Sequence, residues 1–232
     1  MTEPLSAAAV ASRSQQVRRL RRLDACAVSD ALDKLGLSGV VSHVPQLSGN
    51  HRIAGAVITV KVGVGTPPPG PGRHLGTHAI SLAGPDHVIV VEQRSGVDAG
   101  CWGGLLTLGA LMRGVAGVIA DGPVRDIDEA VAYRFPIFTR TLTARTARGR
   151  VVELGTNVPI TPWEQPVQPA DFVIADQSAV VFISARHIDA VLEAAEAIVG
   201  REAVMAKALL AGTEAASVMA GNYENMLKGT SS

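Results

Sequence analysis

Apolar positions along the chain change their spacing from one stretch to the next, and those changes mark out its elements. From the N-terminus into LDACAVSDALDKLG the apolar residues recur at helical spacing, with Ser29 as the expected cap of SDALDKLG and Gly36 as its stop. This gives a helical segment over about residues 1–36. IAGAVITVKVGVG at 53–65 is rich in β-branched residues and predicts a strand. TPPPGPGR at 66–73 has four prolines and two glycines in eight residues, which excludes a helix or a central strand and predicts a loop. After it HLGTHAISLAG predicts a helix, HVIVVE a buried strand, WGGLLTLGALMRG a helix, VAGVIAD a buried strand and RDIDEAVAYR a helix. Short apolar runs without polar alternation, separated by helices, are what strands covered on both faces look like. FPIFTR, GRVVELG, DFVIADQ and AVVFIS then read as short strands of a mixed or antiparallel section, and helices follow over about residues 185–228, one of them near Tyr223. The expectation is a single α/β domain over residues 1–232.

Composition narrows the function classes. Lys plus Arg equal Asp plus Glu at 21 each, so no net charge draws the chain to nucleic acid or to a membrane surface. Aromatic residues make up 3%, too few for base-stacking platforms. Cys26 and Cys101 lie far apart, in neither a disulfide framework nor a zinc spacing, which points to a reducing, cytoplasmic compartment. No apolar run reaches the roughly 18 residues that span a bilayer. The first residues are rich in Arg and Ser and poor in acids, as transit peptides are, but they run straight into the helical pattern, which favours a structural helix.

The chemistry gathers around GVIADGPVRD, where Arg125 and Asp126 follow a Gly-Pro turn at the end of a predicted buried strand. Ligands of open α/β sheets bind beyond such carboxyl ends. A guanidinium fork matches a carboxylate and an adjacent carboxylate suits a hard divalent cation, so the pair can grip an α-keto acid. The plainer reading is that Asp126, Asp128 and Glu129 stabilise the first turn of a helix, with Arg125 paired to one of them. WGGLL at 102–106 opens another helix, where free amides bind anions and Gly103 and Gly104 allow close approach, or merely tight packing. His74 and His78, four apart, share one face of the predicted helix and form a possible metal pair. Arg145, Arg148 and Arg150 form a small basic cluster, a solvated loop or a grip for a second carboxylate, and Cys101 reads as a packed thiol.

Taken together, WGGLLTLGALMRGVAGVIADGPVRDIDEA, FPIFTR, NVP and DFVIADQSAVVFIS, with VSDALDKLG before them, resemble the RraA-like family over residues 25–228. That family includes class II aldolases acting on 4-hydroxy-4-methyl-2-oxoglutarate and 4-carboxy-4-hydroxy-2-oxoadipate. The resemblance implies an αββα sandwich with a central mixed sheet, assembled as a homotrimer or a dimer of trimers with sites at subunit interfaces. It further implies Mg2+ or Mn2+ on Asp126, substrate on Arg125, and the pyruvyl carboxylate on the amides of Leu105 and Leu106. Oxaloacetate decarboxylation is the implied side activity. One position departs: the aldolases carry an aspartate, twenty residues, then Arg-Asp, and here the first position is Gly104. Asp98, Glu92 and Asp121, near predicted strand ends, are candidate replacements for the acid that organises metal-bound water. Glu202 resembles an acid lent to a neighbouring subunit. Two other functions stay open: a protein-binding regulator of an RNA-processing endonuclease, as RraA itself is, and a subfamily with another reaction on an enolisable acid.

Overall fold

The computed structural model describes residues 6–69 and 74–219. In chain order they form α1 (Ala7–Leu20), α2 (Ala25–Lys34), β1 (Val40–Ser42), β2 (Gln46–Ser48), β3 (Ile53–Gly63), α3 (Thr77–Leu82), β4 (His87–Gln93), α4 (Gly104–Met112) and β5 (Gly117–Asp121). There follow α5 (Ile127–Ala132), β6 (Ile137–Thr139), β7 (Val152–Thr156), β8 (Phe172–Ala175), β9 (Ala179–Ile183), α6 (Ile188–Leu210) and α7 (Ala215–Met219).

The strands make one mixed sheet ordered β1-β9-β8-β3-β4-β5-β6-β2, with β7 also paired to β3. Pairing is parallel from β3 through β4 and β5 to β6, the run of buried strands alternating with helices. It is antiparallel around β8 and β9, the section of short strands. The two edges, β1 and β2, are joined by residues 43–45 alone. Such a link reaches about 14 Å at most, whereas the edges of a flat sheet of this width would stand roughly 34 Å apart. The sheet therefore curls until its edges meet.

Side-chain alternation sorts the core accordingly. Val57, Val88, Val90, Ile119, Phe138, Val173, Val180 and Phe182 point into the curl, where Val44, Ile160 and Val167 close the interior. Their neighbours along the strands point outward. On one half, Ala54, Phe172, Ile174, Val181 and Ile183 pack under Val17, Leu20, Val28, Leu32 and Leu192 of α1, α2 and α6. On the other, Val60, Ile89, Val91, Val118 and Ala120 pack under Ala79, Leu106, Ala110 and Ala130 of α3, α4 and α5. Helices, half-sheet, half-sheet, helices is the αββα layering that the resemblance implies.

Two local expectations change. α2 starts earlier than expected, because Asp24 caps it by accepting from Ala27 N at 2.8 Å, and Ser29 sits inside the helix. Gly36, at φ +65°, does end that segment. α3 begins only at Thr77, so His74 precedes the helix and donates from Nδ1 to Leu75 O, 3.1 Å away, instead of sharing a helical face with His78. β1 and β2, three residues each, carried too little pattern to be read. The region near Tyr223 and part of TPPPGPGR lie outside the described residues. The N-terminal segment is a structural helix in these residues: α1 buries Val17 and Leu20, and Arg19 pairs with Glu196 of α6 at 2.8 Å.

Candidate active site

Beyond the ends of β4 and β5 three loop segments run side by side. Cys101 N donates to Pro123 O at 2.8 Å, Arg125 N to Trp102 O at 3.0 Å, and Val124 N to Thr141 O at 3.0 Å. Gly100 N donates to Arg145 O at 2.9 Å, tying in the next loop. This small ladder sets the start of α4 beside Arg125 and Asp126. Trp102, buried, fixes the turn through Nε1 to Thr107 Oγ1 at 3.0 Å, and that hydroxyl donates to Gly103 O at 3.0 Å.

Two glycines make the close approach possible. A Cβ at Gly100 or at Gly103 would meet Arg125 Cγ at 3.0 Å, tighter than ordinary contact, so the arginine stem lies where side chains would otherwise be. Asp126 adopts the left-handed conformation, φ 58° and ψ 39°, which Asp tolerates better than most residues and which turns its carboxylate back toward α4. There Asp126 Oδ2 accepts from Gly104 N at 3.0 Å and Oδ1 accepts from Arg125 Nε at 3.2 Å. Among the described residues nothing accepts from the Leu105 and Leu106 amides, and the terminal nitrogens of Arg125 have no partner. These donors border a cavity of about 210 Å³ lined by His74, Leu75, Gly103, Gly104, Arg125, Asp126 and Arg148, among others. A second cavity of about 620 Å³, walled by Pro67 to Pro69, Val151, Leu154 and Val158, adjoins it through His74, Leu75, Ala147 and Arg148.

The structure brings Arg125, Asp126, Gly103, Gly104, Leu105 and Leu106 together as expected. It does not bring the proposed replacement acids to them. Glu92 and Asp121 are register partners on β4 and β5, and both point into the curl, away from the α4 side. Glu92 accepts from Thr161 N and Oγ1 and faces Lys61 Nζ at 3.5 Å. Asp121 accepts from Trp163 N at 2.7 Å and lies 3.7 Å from Arg94. Burial pushes its carboxyl above the ordinary range, partly offset by the Trp163 amide and Arg94. Asp98 pairs with Arg145 at 3.0 Å on the surface. Glu202 lies on α6, raised by burial and by Asp24 and Asp30, at the opposite half of its own chain's fold. Of the arginine cluster only Arg148 lines the cavity, since Arg145 holds Asp98 and Arg150 donates to Thr146 O at 3.2 Å. Burial lifts the Cys101 thiol to about 12, so it is a packed thiol.

One acid escaped the sequence reading as a site residue. Glu129, in the first turn of α5, extends its carboxylate over Gly104: a Cβ at 104 would overlap Oε2 and lie 2.6 Å from Cδ. Its side chain makes no hydrogen bond or ion pair with the described residues. The signal available was its spacing, three residues after Asp126 on a helix. No group of three or more His, Cys, Asp or Glu converges among the described residues. One or two carboxylates at the mouth of an open cavity suit a hard cation that keeps most of its water, as Mg2+ does, and not a fully caged ion.

Comparison with known proteins bears on the fold and the family. The family described as RraA-like, Aldolase/RraA, matches residues 25–182. A putative 4-hydroxy-4-methyl-2-oxoglutarate aldolase of Halalkalibacterium halodurans is 30% identical over 181 residues, covering 78% of this chain and 81% of that protein. Protein DlpA of Legionella pneumophila is 26% identical over 72% of this chain, which spans only 27% of that protein's length. An uncharacterized protein from Pseudomonas syringae superposes with a TM-score of 0.77 at 25% identity, over 94% of this chain and 99% of that one. Streptomyces coelicolor RraAS2, an unusual member of the RNase ES inhibitor RraA protein family, shares the fold with a TM-score of 0.72 at 21% identity, over 88% and 98%. The sheet, the Arg-Asp turn and these matches together make the chain a member of the RraA-like family.

Proposed function

We propose that this chain is a divalent-metal-dependent carbon–carbon lyase acting on a small 2-oxo acid. Its reactions are retro-aldol cleavage of a 4-hydroxy-2-oxo diacid to pyruvate and decarboxylation of oxaloacetate. The observation that carries the reading is the meeting of the free Leu105 and Leu106 amides, the free Arg125 terminal nitrogens and the Asp126 carboxylate on one small cavity. The amides at the start of α4 receive the substrate carboxylate, where a nine-residue helix presents its positive end. Arg125 offers its fork to the same polar end of the substrate, held in place by Asp126 at Nε. Asp126 would hold Mg2+ or Mn2+, which when bound supplies Lewis-acid stabilisation of negative charge growing on the 2-oxo oxygen. In the cleavage the C3–C4 bond breaks, its electrons pass toward C2, the 4-hydroxyl loses its proton to become a carbonyl, and C3 gains one to give pyruvate. Arg148, on the wall shared with the larger cavity, is placed to meet a distal carboxylate.

α4 also turns Leu105, Leu108, Leu111 and Met112 to solvent, and Leu105 is 86% exposed while bordering the site. This apolar stripe supports self-association; that the assembly is a trimer or a dimer of trimers, with Glu202 serving a neighbour's site, follows from the resemblance alone. The reading is tested by pyruvate release from oxaloacetate and from 4-hydroxy-2-oxo diacids with Mg2+ or Mn2+ supplied. Release that stops on chelation of the metal is expected, and no cleavage of any of these acids would sink the lyase. That outcome would favour the second reading, a non-catalytic protein-binding regulator, for which the shared RraAS2 fold speaks.

A further inference from the structure

We infer that Glu129 supplies the second carboxylate of this site, delivered from α5 into the space that a side chain at position 104 would occupy. The inference rests on the metal-dependent reading above and names a residue which that reading does not use. Three observations carry it. The Glu129 carboxylate lies where the first atoms of a residue-104 side chain would be, overlapping a Cβ built there. Glu129 is exposed and has no hydrogen-bond or ion-pair partner among the described residues, so its oxygens are free to take a ligand. The carboxylate of Asp126 reaches the same glycine from the other side, through Gly104 N at 3.0 Å. Two acids three residues apart thus converge on one backbone position at the mouth of the cavity.

The glycine follows from this arrangement. Any side chain at 104 would evict the Glu129 carboxylate, so Gly104 is the residue that lets an acid from the next helix take the place. Where the resemblance implies an acid at position 104, this chain offers the Glu129 carboxylate in the same space. Replacing Gly104 with Asp in the native chain therefore adds a competing charge and does not restore a missing one. The same replacement in a chain lacking the Glu129 charge moves the carboxylate to the other backbone position.

Mn2+ titrations by calorimetry on the intact chain test this. Glu129→Gln, a change on the exposed face of a short helix, is expected to weaken Mn2+ binding by about tenfold to 100-fold with the circular dichroism spectrum unchanged. Gly104→Ala, which leaves every acid in place but displaces Glu129, is expected to weaken it in the same direction. The double variant Glu129→Gln with Gly104→Asp recovers affinity relative to Glu129→Gln alone. Wild-type affinity in Glu129→Gln, alongside loss of binding in Asp126→Asn, overturns the role of Glu129 and leaves the metal-dependent reading standing. Absence of Mn2+ binding in the wild-type chain overturns both.

Discussion

Two pairs of acids stand at the ends of the same strands and do opposite things. Glu92 and Asp121 close β4 and β5 on the inner side of the curl, where Thr161, Trp163, Lys61 and Arg94 engage their oxygens. Asp126 and Glu129 follow β5 by a few residues on the outer side, where Asp126 holds a backbone amide and an arginine and Glu129 holds nothing. The first pair locks the segment around residues 160–164 onto the sheet. In the second, Asp126 lines a cavity with unused donors around it and Glu129 lies over Gly104 beside it. Nearness to a strand end does not separate the two roles; the side of the sheet does, because strand alternation turns Glu92 and Asp121 inward whereas Asp126 and Glu129 lie in the turn and helix that leave β5 on the outside.

The contrast is broken most severely at Asp126. Asp126→Ala is expected to lower kcat/KM for oxaloacetate by at least about 100-fold, since it removes a proposed metal ligand and the anchor of Arg125 together. Arg125→Ala comes next. Loss of charge-assisted hydrogen bonds to a substrate carboxylate costs about 1.5–3 kcal/mol, or roughly tenfold to 100-fold, read mainly as a higher KM. Glu92→Ala should do the reverse. It removes a buried carboxylate that accepts from the half-buried Thr161 amide and lowers unfolding free energy by about 1–3 kcal/mol, visible in a urea titration, while Mn2+ affinity stays at the wild-type value.

The smallest effect concerns Cys101. Its thiol is raised to about 12 from 9.0 by burial, so the folded state keeps a proton that the unfolded state gives up above pH 9. This contribution to stability is present below pH 9 and is lost as pH rises toward 12, at up to about 1.4 kcal/mol per pH unit. Denaturant unfolding of the wild type and Cys101→Ala between pH 8 and about 10.5 should show that slope only in the wild type. A thiol reagent should meanwhile modify Cys26 in the native chain and spare Cys101.

How far the sequence could be read depended on whether a feature is local. The β3 to β6 strands show as apolar runs because they are buried along nearly their whole length, and the intervening helices show as helical repeats because each buries one face on them. Arg125 and Asp126 show because a Gly-Pro turn sets them at a strand end. The curl does not show, since it depends on β1 and β2 being three residues long and joined by a short link. The start of α3 does not show, because the residues before Thr77 continue a helical spacing without entering the helix. Glu129 was legible as a first-turn acid and no more. Its contact with Gly104, twenty-five positions away, exists only because the ladder of loops lays α5 against the start of α4.

The most direct test of the distinction between the two acid pairs is a calorimetric titration of Mn2+ into the wild type, Asp126→Ala and Glu92→Ala, each at a pH where the chain is fully folded. One site per chain in the wild type and in Glu92→Ala, with binding abolished in Asp126→Ala, is the expected result. Equal binding in Asp126→Ala and the wild type would contradict the assignment of the outer pair as the metal site, and with it the proposed lyase.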